Sequence, residues 1–240
     1  MVLTEDKQAI STKNLGFTFS PHEECAVEEA VKIISDQGGD STVLSLGPAA
    51  AKEQLQYAMS MGIKNAILLE TDEDADWDPI STADAIVDTV NKQAAAGNNF
   101  DMIFFGNEAA DTGGYQVGIR VAHALDWPCV AGIKQLELSP PQATAYREVG
   151  ASKEAFEVGL PAVFSMKEGI NYPRYPSVPG RLRAKKKPID TSSPDIQVVS
   201  YKKSELELPV EKATETVVLG KGPDAAPTVV EMMKEIGVLP

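Results

Sequence analysis

Apolar positions recur at three- and four-residue spacing through residues 22–37, where Ala26, Val27, Ala30, Val31, Ile33 and Ile34 mark one face. That period predicts a helix beginning at Pro21 and stopped by Gly38-Gly39. Glu23, Glu24, Glu28 and Glu29 load its first turns, where unpaired backbone N–H groups favour acids. STVLSL at 41–46 is a short β-branched and apolar run, and so predicts a buried strand ended by Gly47-Pro48. The spacing of Leu55, Ala58 and Met59 predicts a helix over 49–60, and NAILLE at 65–70 predicts the next strand. Ile80, Ala83, Ile86, Val87 and Val90 predict a helix over 79–96, ended by Gly97. FDMIFF at 100–105 predicts a third strand, running straight into Gly106.

Residues 22–105 thus hold three helix-then-strand steps. Strands apolar at consecutive positions need cover on both faces, which predicts a Rossmann-like α/β fold: a parallel sheet flanked by helices with right-handed crossovers. After Trp127-Pro128 the pattern changes. Residues 129–133 predict a strand, 135–138 and 144–149 the arms of an antiparallel hairpin around Pro140-Pro141, and 155–158 and 162–166 further strands. YPRYPSVP at 172–179, with three prolines, suits neither a helix interior nor a central strand. Residues 190–222 are polar with short apolar stretches, and Val229, Val230, Met233 and Ile236 mark a closing amphipathic helix over 227–236. Two regions follow: an α/β domain over 1–189, and an extended C-terminal arm and helix over 190–240 that packs on another body.

The formal charge of the 240 residues is −13, which sets the long-range field against nucleic acid. No run approaches the roughly 18 apolar residues of a membrane span, and the first residues lack the apolar core of a secretory signal. Cys25 and Cys129, His22 and His123 are too few for a disulfide framework or a cysteine-rich metal site. The acidic run Glu70–Asp78 reads as a solvated loop, because it lacks the glycine and terminal glutamate of a calcium loop. No metal ligands are assigned.

Ligands of open α/β sheets bind beyond the carboxyl ends of the strands. GNEAADTGGYQVGIRVAHAL at 106–125 sits there: a strand, then Gly113-Gly114, then Val117, Val121 and Leu125 at helical spacing. Backbone N–H groups of the turn and first helical turn could hold a phosphate, and Tyr115 and Gln116 a base or ribose. The plainer reading is a tight turn whose glycines serve geometry alone. The dinucleotide fingerprint and the phosphate-loop lysine-serine motif are both absent. RLRAKKKPI at 181–189 carries five basic residues in nine, against the overall charge. It reads either as a contact surface for an acidic partner or ligand or as a solvated helix end.

Four blocks, in order, carry a resemblance: SPHEECAVEEAVKI at 20–33, VLSLGPAAAKEQLQYAMSMGIKNAILL at 43–69, GNEAADTGGYQVG at 106–118 and LPAVFSMKEGINYPRYPSVPGRLRAKKKPI at 160–189. Over roughly residues 16–239 the chain resembles the beta subunits of electron transfer flavoproteins. The resemblance implies a heterodimer whose alpha subunit makes most of the contacts to a redox-active FAD. The beta subunit shields the flavin ring and holds a second nucleotide, AMP in ordinary members and a second FAD in electron-bifurcating ones. It implies an electron carrier subunit rather than a stand-alone enzyme. Electrons would come from acyl-CoA dehydrogenase-like flavoenzymes of fatty acid oxidation and pass to a membrane quinone oxidoreductase or another acceptor. A nucleotide-binding or scaffold protein on the same fold, without electron transfer, is the alternative. The lack of a presequence points to a prokaryotic cytoplasm ahead of a mitochondrial matrix.

The resemblance places the nucleotide at Gly106, Asp111, Thr112, Gly113, Gly114, Tyr115, Gln116, Val117 and Gly118. It places partner contacts at Glu148, Val178, Arg181, Arg183, Lys185, Lys186 and Lys187, the last six within a partner-recognition loop at about 173–187. Tyr115 stands where the family has an asparagine, and Val178 where many members have an anchoring leucine. His22 replaces a phenylalanine, and Gly150-Ala151-Ser152 replaces aspartate-glycine-glycine. Family members open with an apolar strand. Here Phe17 lies close to the Pro21 helix start, so the first strand and a ring-facing residue are expected to be missing.

Overall fold

The computed structural model describes residues 2–13, 15–16, 18–73, 75, 77–194, 204–209 and 216–239. Phe17, named above, and Asp74 and Asp76 of the acidic run lie outside the described residues. Two compact units emerge, one of residues 12–203 and one of residues 1–11 with 204–240.

In the larger unit the helical period at 22–37 becomes α1 (Pro21–Gln37), with proline in its first turn, where a missing N–H costs nothing. There follow β1 (Thr42–Gly47), a 3-10 turn at Ala49–Ala51, α2 (Lys52–Met61), β2 (Asn65–Glu70), α3 (Pro79–Ala95), β3 (Met102–Gly106) and α4 (Val117–Leu125). Each forms where the apolar spacing predicts it. The chain then runs through β4 (Cys129–Ser139), β5 (Gln142–Val149), β6 (Ser152–Gly159), β7 (Ala162–Met166), α5 (Val178–Ala184) and β8 (Asp190–Ser192).

The strands form two ladders. β1, β2 and β8 pair in parallel, in that order. The second ladder runs β3-β7-β4-β5-β6: β7 is parallel to both β3 and β4, and β4, β5 and β6 form an antiparallel meander. The short strand and hairpin arm predicted at 129–138 are one strand, interrupted by a bulge between Ile133 and Gln135. Among the described residues no strand precedes α1.

The deepest core lies where β7 is sandwiched. Ala162, Val163, Phe164 and Met166 are fully buried, and Ala162, Phe164 and Met166 pack with Val130, Ile133, Ala143 and Ala145. A second cluster joins Val27 and Val31 of α1 to Ala58 and Met61 of α2, with Val43 of β1 beside it. Ile67 and Leu69 pack on Ala85 of α3, with Leu44 and Leu46 beside them.

Asp78 does not belong to a solvated loop. It is buried and caps α3, accepting from Ile80 N at 3.0 Å and Ser81 N at 2.8 Å. Two of the acids read as favouring the start of α1, Glu28 and Glu29, are buried, only 5% and 6% exposed.

In the smaller unit, Leu3 and Ile10 form a single antiparallel bridge, and Lys7 pairs with Glu205 at 2.5 Å. Helix α6 (Ala226–Glu235) follows a short 3-10 turn. Its Val230 and Met233 are exposed within this chain.

Candidate functional site

β3 ends at Gly106 and α4 starts at Val117, so residues 107–116 form the loop beyond the carboxyl end of a parallel strand. Asn107 N donates to Met166 O at 2.9 Å, which fixes the loop's root to the end of β7. Gly113 has φ +63°, in the left-handed region that glycine tolerates without strain. Its N–H donates to Ala109 O at 2.8 Å and closes the turn. A Cβ built on Gly118 would lie 3.0 Å from the Phe105 ring, so a glycine lets the first turn of α4 settle on the end of β3. Gln116 precedes α4 without a capping side-chain bond, so the first N–H groups of the helix carry no side-chain acceptor. The predicted nucleotide residues are therefore contiguous in space: an exposed loop of Asp111, Thr112 and Gly113 leads to a glycine-backed helix start.

One predicted contact is already engaged. Gln116 Oε1 accepts from Arg120 Nη2 at 2.9 Å and Nε at 3.3 Å. This brings a guanidinium to the first turn of α4. Sequence reading missed Arg120, although its i, i+4 spacing from Gln116 was a usable signal. Tyr115 is 56% exposed.

Neighbouring strand ends lie beside the root of the loop. Gly132 N donates to Ser165 Oγ at 3.0 Å, and Ser165 Oγ lies 3.4 Å from Asn107 Oδ1. Lys167 and Arg147 flank Gly132. From α1, His22 Nε2 lies 3.5 Å from Glu108 Oε1, and its Nδ1 accepts from Glu168 N at 3.0 Å. Glu23 lies over Gly106, where a Cβ would meet its carboxylate at 2.4 Å, and its Oε2 is buried with no hydrogen-bond partner.

The predicted partner residues occupy two separate places. Glu148 is exposed on β5, opposite Lys153 of β6 in the ladder. Its neighbour Arg147 bonds Glu154 at 2.7 Å and lies 5.1 Å over the Phe156 ring. Val178 opens α5 and is 71% exposed. Arg181, Arg183, Lys185 and Lys186 are exposed on and after that helix, and Arg181 stacks 4.8 Å over Tyr175. Lys187 instead reaches back, donating to Ile63 O at 3.4 Å and Lys64 O at 3.3 Å.

The proline-rich segment is held to α1 by residues the sequence reading passed over. Arg174 bonds Glu28, and Asn171 Nδ2 donates to Glu29 Oε2 at 2.9 Å and Cys25 O at 3.0 Å. Tyr57 donates to Glu24 at 2.6 Å. Burial and that bond push the Tyr57 phenol up to about 12. Ser177 Oγ accepts from Gly180 N at 3.2 Å and caps α5. Arg174, Met59, Met61, Gly180, Arg183 and Lys187 line a cleft of about 430 Å³. Among the described residues no group of acids, histidines and cysteines gathers to hold a metal, and no helix is long and apolar enough to cross a membrane.

A family model described as "Electron transfer flavoprotein domain" matches residues 9–197. The chain is 35% identical over 193 residues to the electron transfer flavoprotein subunit beta of Bacillus subtilis, covering 78% of this chain and 73% of that one. It is 34% identical over 206 residues to the corresponding subunit of Syntrophomonas wolfei, covering 85% and 79%. It is 29% identical over 188 residues to that of Mus musculus, covering 77% and 72%. With a matched domain across most of its length and relatives above 30% identity, the chain belongs to the electron transfer flavoprotein beta subunit family.

Proposed function

We propose that this chain is the beta subunit of a heterodimeric electron transfer flavoprotein, in which an alpha subunit holds most of a redox-active FAD. The observation that supports a nucleotide of the chain's own is the start of α4: an uncapped helix N-terminus, seated on Phe105 by Gly118, directly beyond a parallel strand. Such an end concentrates partial positive charge and free N–H donors, the chemistry that suits a phosphate. Arg120 adds a fixed cation at the same turn. These residues fit the phosphate of an AMP, and equally that of a second FAD.

A bound flavin would supply the electron-accepting ring, while the protein sets its position, burial and electrostatics. This chain's part is then to orient. Gly106–Gly118 would hold the nucleotide, Glu148 would contact the alpha subunit, and Val178 with Arg181, Arg183, Lys185 and Lys186 would meet an acyl-CoA dehydrogenase-like donor. Lys187 serves the fold of the segment instead, through its bonds to Ile63 and Lys64. Onward transfer would go to a quinone oxidoreductase or another acceptor, in a prokaryotic cytoplasm.

The test is cofactor content. The chain is co-expressed with an electron transfer flavoprotein alpha subunit, the complex is purified, and acid-released FAD and AMP are quantified. One FAD and one AMP per heterodimer supports the carrier reading. Two FAD without AMP assigns the bifurcating form. A stable complex without flavin overturns both, and favours the scaffold alternative.

A further inference from the structure

The turn after β7 closes a small cavity against the start of α1. Ile170 N donates to Lys167 O at 3.3 Å, and Gly169 takes φ +88° to make the bend. Glu24 and Cys25 of α1 meet Glu168, Asn171, Tyr172 and Pro173 around a space of about 160 Å³. None of them belongs to the β3–α4 loop or to the basic face of α5. The Cys25 thiol is buried and donates to Asn171 O at 3.8 Å, which ties the turn to the helix. Tyr172 stands at the rim, 98% exposed.

The polar groups of this cavity are acceptors. Asn171 Nδ2 donates to Cys25 O at 3.0 Å and to Glu29 Oε2 at 2.9 Å. Both partners can only accept, so the amide cannot be reversed, and its Oδ1 is left buried with no hydrogen bond. Such an orphan is the costly case for a buried polar atom, and it asks for a donor. Glu24 has one carboxylate oxygen held by Tyr57 Oη at 2.6 Å. Glu168 is exposed; its backbone N–H donates to His22 Nδ1, and its carboxylate has no side-chain partner. Lys134 Nζ stands 3.1 Å from the Cβ position of Gly169, yet forms no ion pair with either carboxylate.

We propose that this cavity binds a primary ammonium group on an unbranched alkyl chain, the chemistry of a lysine side chain. An ammonium carries three donors and no acceptor, which complements two carboxylates and an amide oxygen. The acceptors belong to three separate residues, an arrangement that suits a compact charge with rotatable donors ahead of the fixed planar fork of a guanidinium. Among the described residues no group of acids, histidines and cysteines gathers to hold a metal, so the acids here do not form such a cluster. Tyr172 and Pro173 give the alkyl stem an aromatic and apolar wall. Neither a nucleotide nor a flavin takes part.

Nuclear magnetic resonance titration of the full 240-residue chain tests this. The probes are acetyl-lysine methylamide, its uncharged counterpart acetyl-norleucine methylamide, and n-butylammonium. The lysine probe should shift the Asn171 side-chain amide and the Glu168 and Gly169 backbone amides saturably, and bind about tenfold or more tighter than the norleucine probe. Glu168→Gln should weaken it about threefold, and Lys134→Met, which takes away the competing charge, should tighten it about twofold. Binding of n-butylammonium as tight as that of the lysine probe supports a free alkylamine as the ligand. Tighter binding of the lysine probe supports a lysine presented by a polypeptide. No saturable shift at these positions, or equal binding of the lysine and norleucine probes, overturns the proposal. So does lysine binding that is indifferent to both substitutions.

Discussion

Arg174 closes on Glu28 across 146 positions of sequence, with Nη2 to Oε1 and Nε to Oε2 both at 2.8 Å, and its own backbone N–H reaches the same carboxylate at 3.0 Å. One residue of α1 thereby fixes both the main chain and the side chain of the proline-rich segment ahead of α5. Burial alone would raise the Glu28 carboxyl, but the hydrogen bonds and charge of Arg174 outweigh it and hold Glu28 below its ordinary 4.5. A carboxyl depressed in the folded state contributes stability above its unfolded value, and loses it as pH falls through the folded one. Arg174→Ala should therefore cost about 2 kcal/mol at pH 7, below the range for a fully buried pair because the guanidinium is 43% exposed. The deficit should shrink below about pH 4.5. Urea unfolding of both proteins at pH 7 and pH 4 checks this, and an equal deficit at both values contradicts it.

Asp78 gives a second stability test. Its carboxylate accepts from two backbone N–H groups and, at 2.7 Å, from Ser81 Oγ. Asp78→Ala should lower stability by about 1–2 kcal/mol, the upper part of the range for a lost helix cap. Asp78→Asn should recover most of it, since an amide oxygen still accepts. Thermal unfolding of the three proteins decides, and an unaltered midpoint for the alanine variant would sink the cap.

These two acids show where the sequence was legible. NAILLE reads as a strand because four apolar residues in a row between turns admit little else, and β2 has those bounds. The C-terminal part of the fold was harder. Gly132, at φ +74°, lets β4 pass a bulge without ending, so one strand read as two. Glu28 and Glu29 read only as acids favoured near a helix start, because their partners Arg174 and Asn171 lie far along the chain, in and beside a proline-rich run. The loop between β3 and α4 was legible as glycine spacing. The engagement of Gln116 by Arg120 and the cover of Gly106 by Glu23 needed coordinates, as did the division of the strands into two ladders.

Gly118 separates a binding loop from a mere turn. Valine there would press on the Phe105 ring, already within 3.0 Å of the Cβ position, and shift the start of α4. In the co-expressed complex, Gly118→Val should reduce the nucleotide retained by this chain about tenfold or more, the scale of losing one or two charge-assisted hydrogen bonds. Far-UV circular dichroism should stay unchanged. Full nucleotide content in a folded variant would move the site elsewhere.

Val178 tests the partner side. It is 71% exposed at the first position of α5, held outward by the Ser177 cap and the packing of α5 on α2. An exposed apolar side chain on a rigid helix start is suited to entering a partner's pocket, and each further methylene buried is worth about 0.8 kcal/mol. On the proposed docking of a dehydrogenase-like donor, Val178→Leu should tighten that complex about fourfold, while Val178→Asp should weaken it by more than tenfold. Neither variant should move the unfolding midpoint, because the side chain packs on little within its own chain. Titration of the dehydrogenase by calorimetry reads both. Affinities that ignore position 178 while responding to Arg181 or Arg183 would shift the contact from the apolar anchor to the basic face of α5.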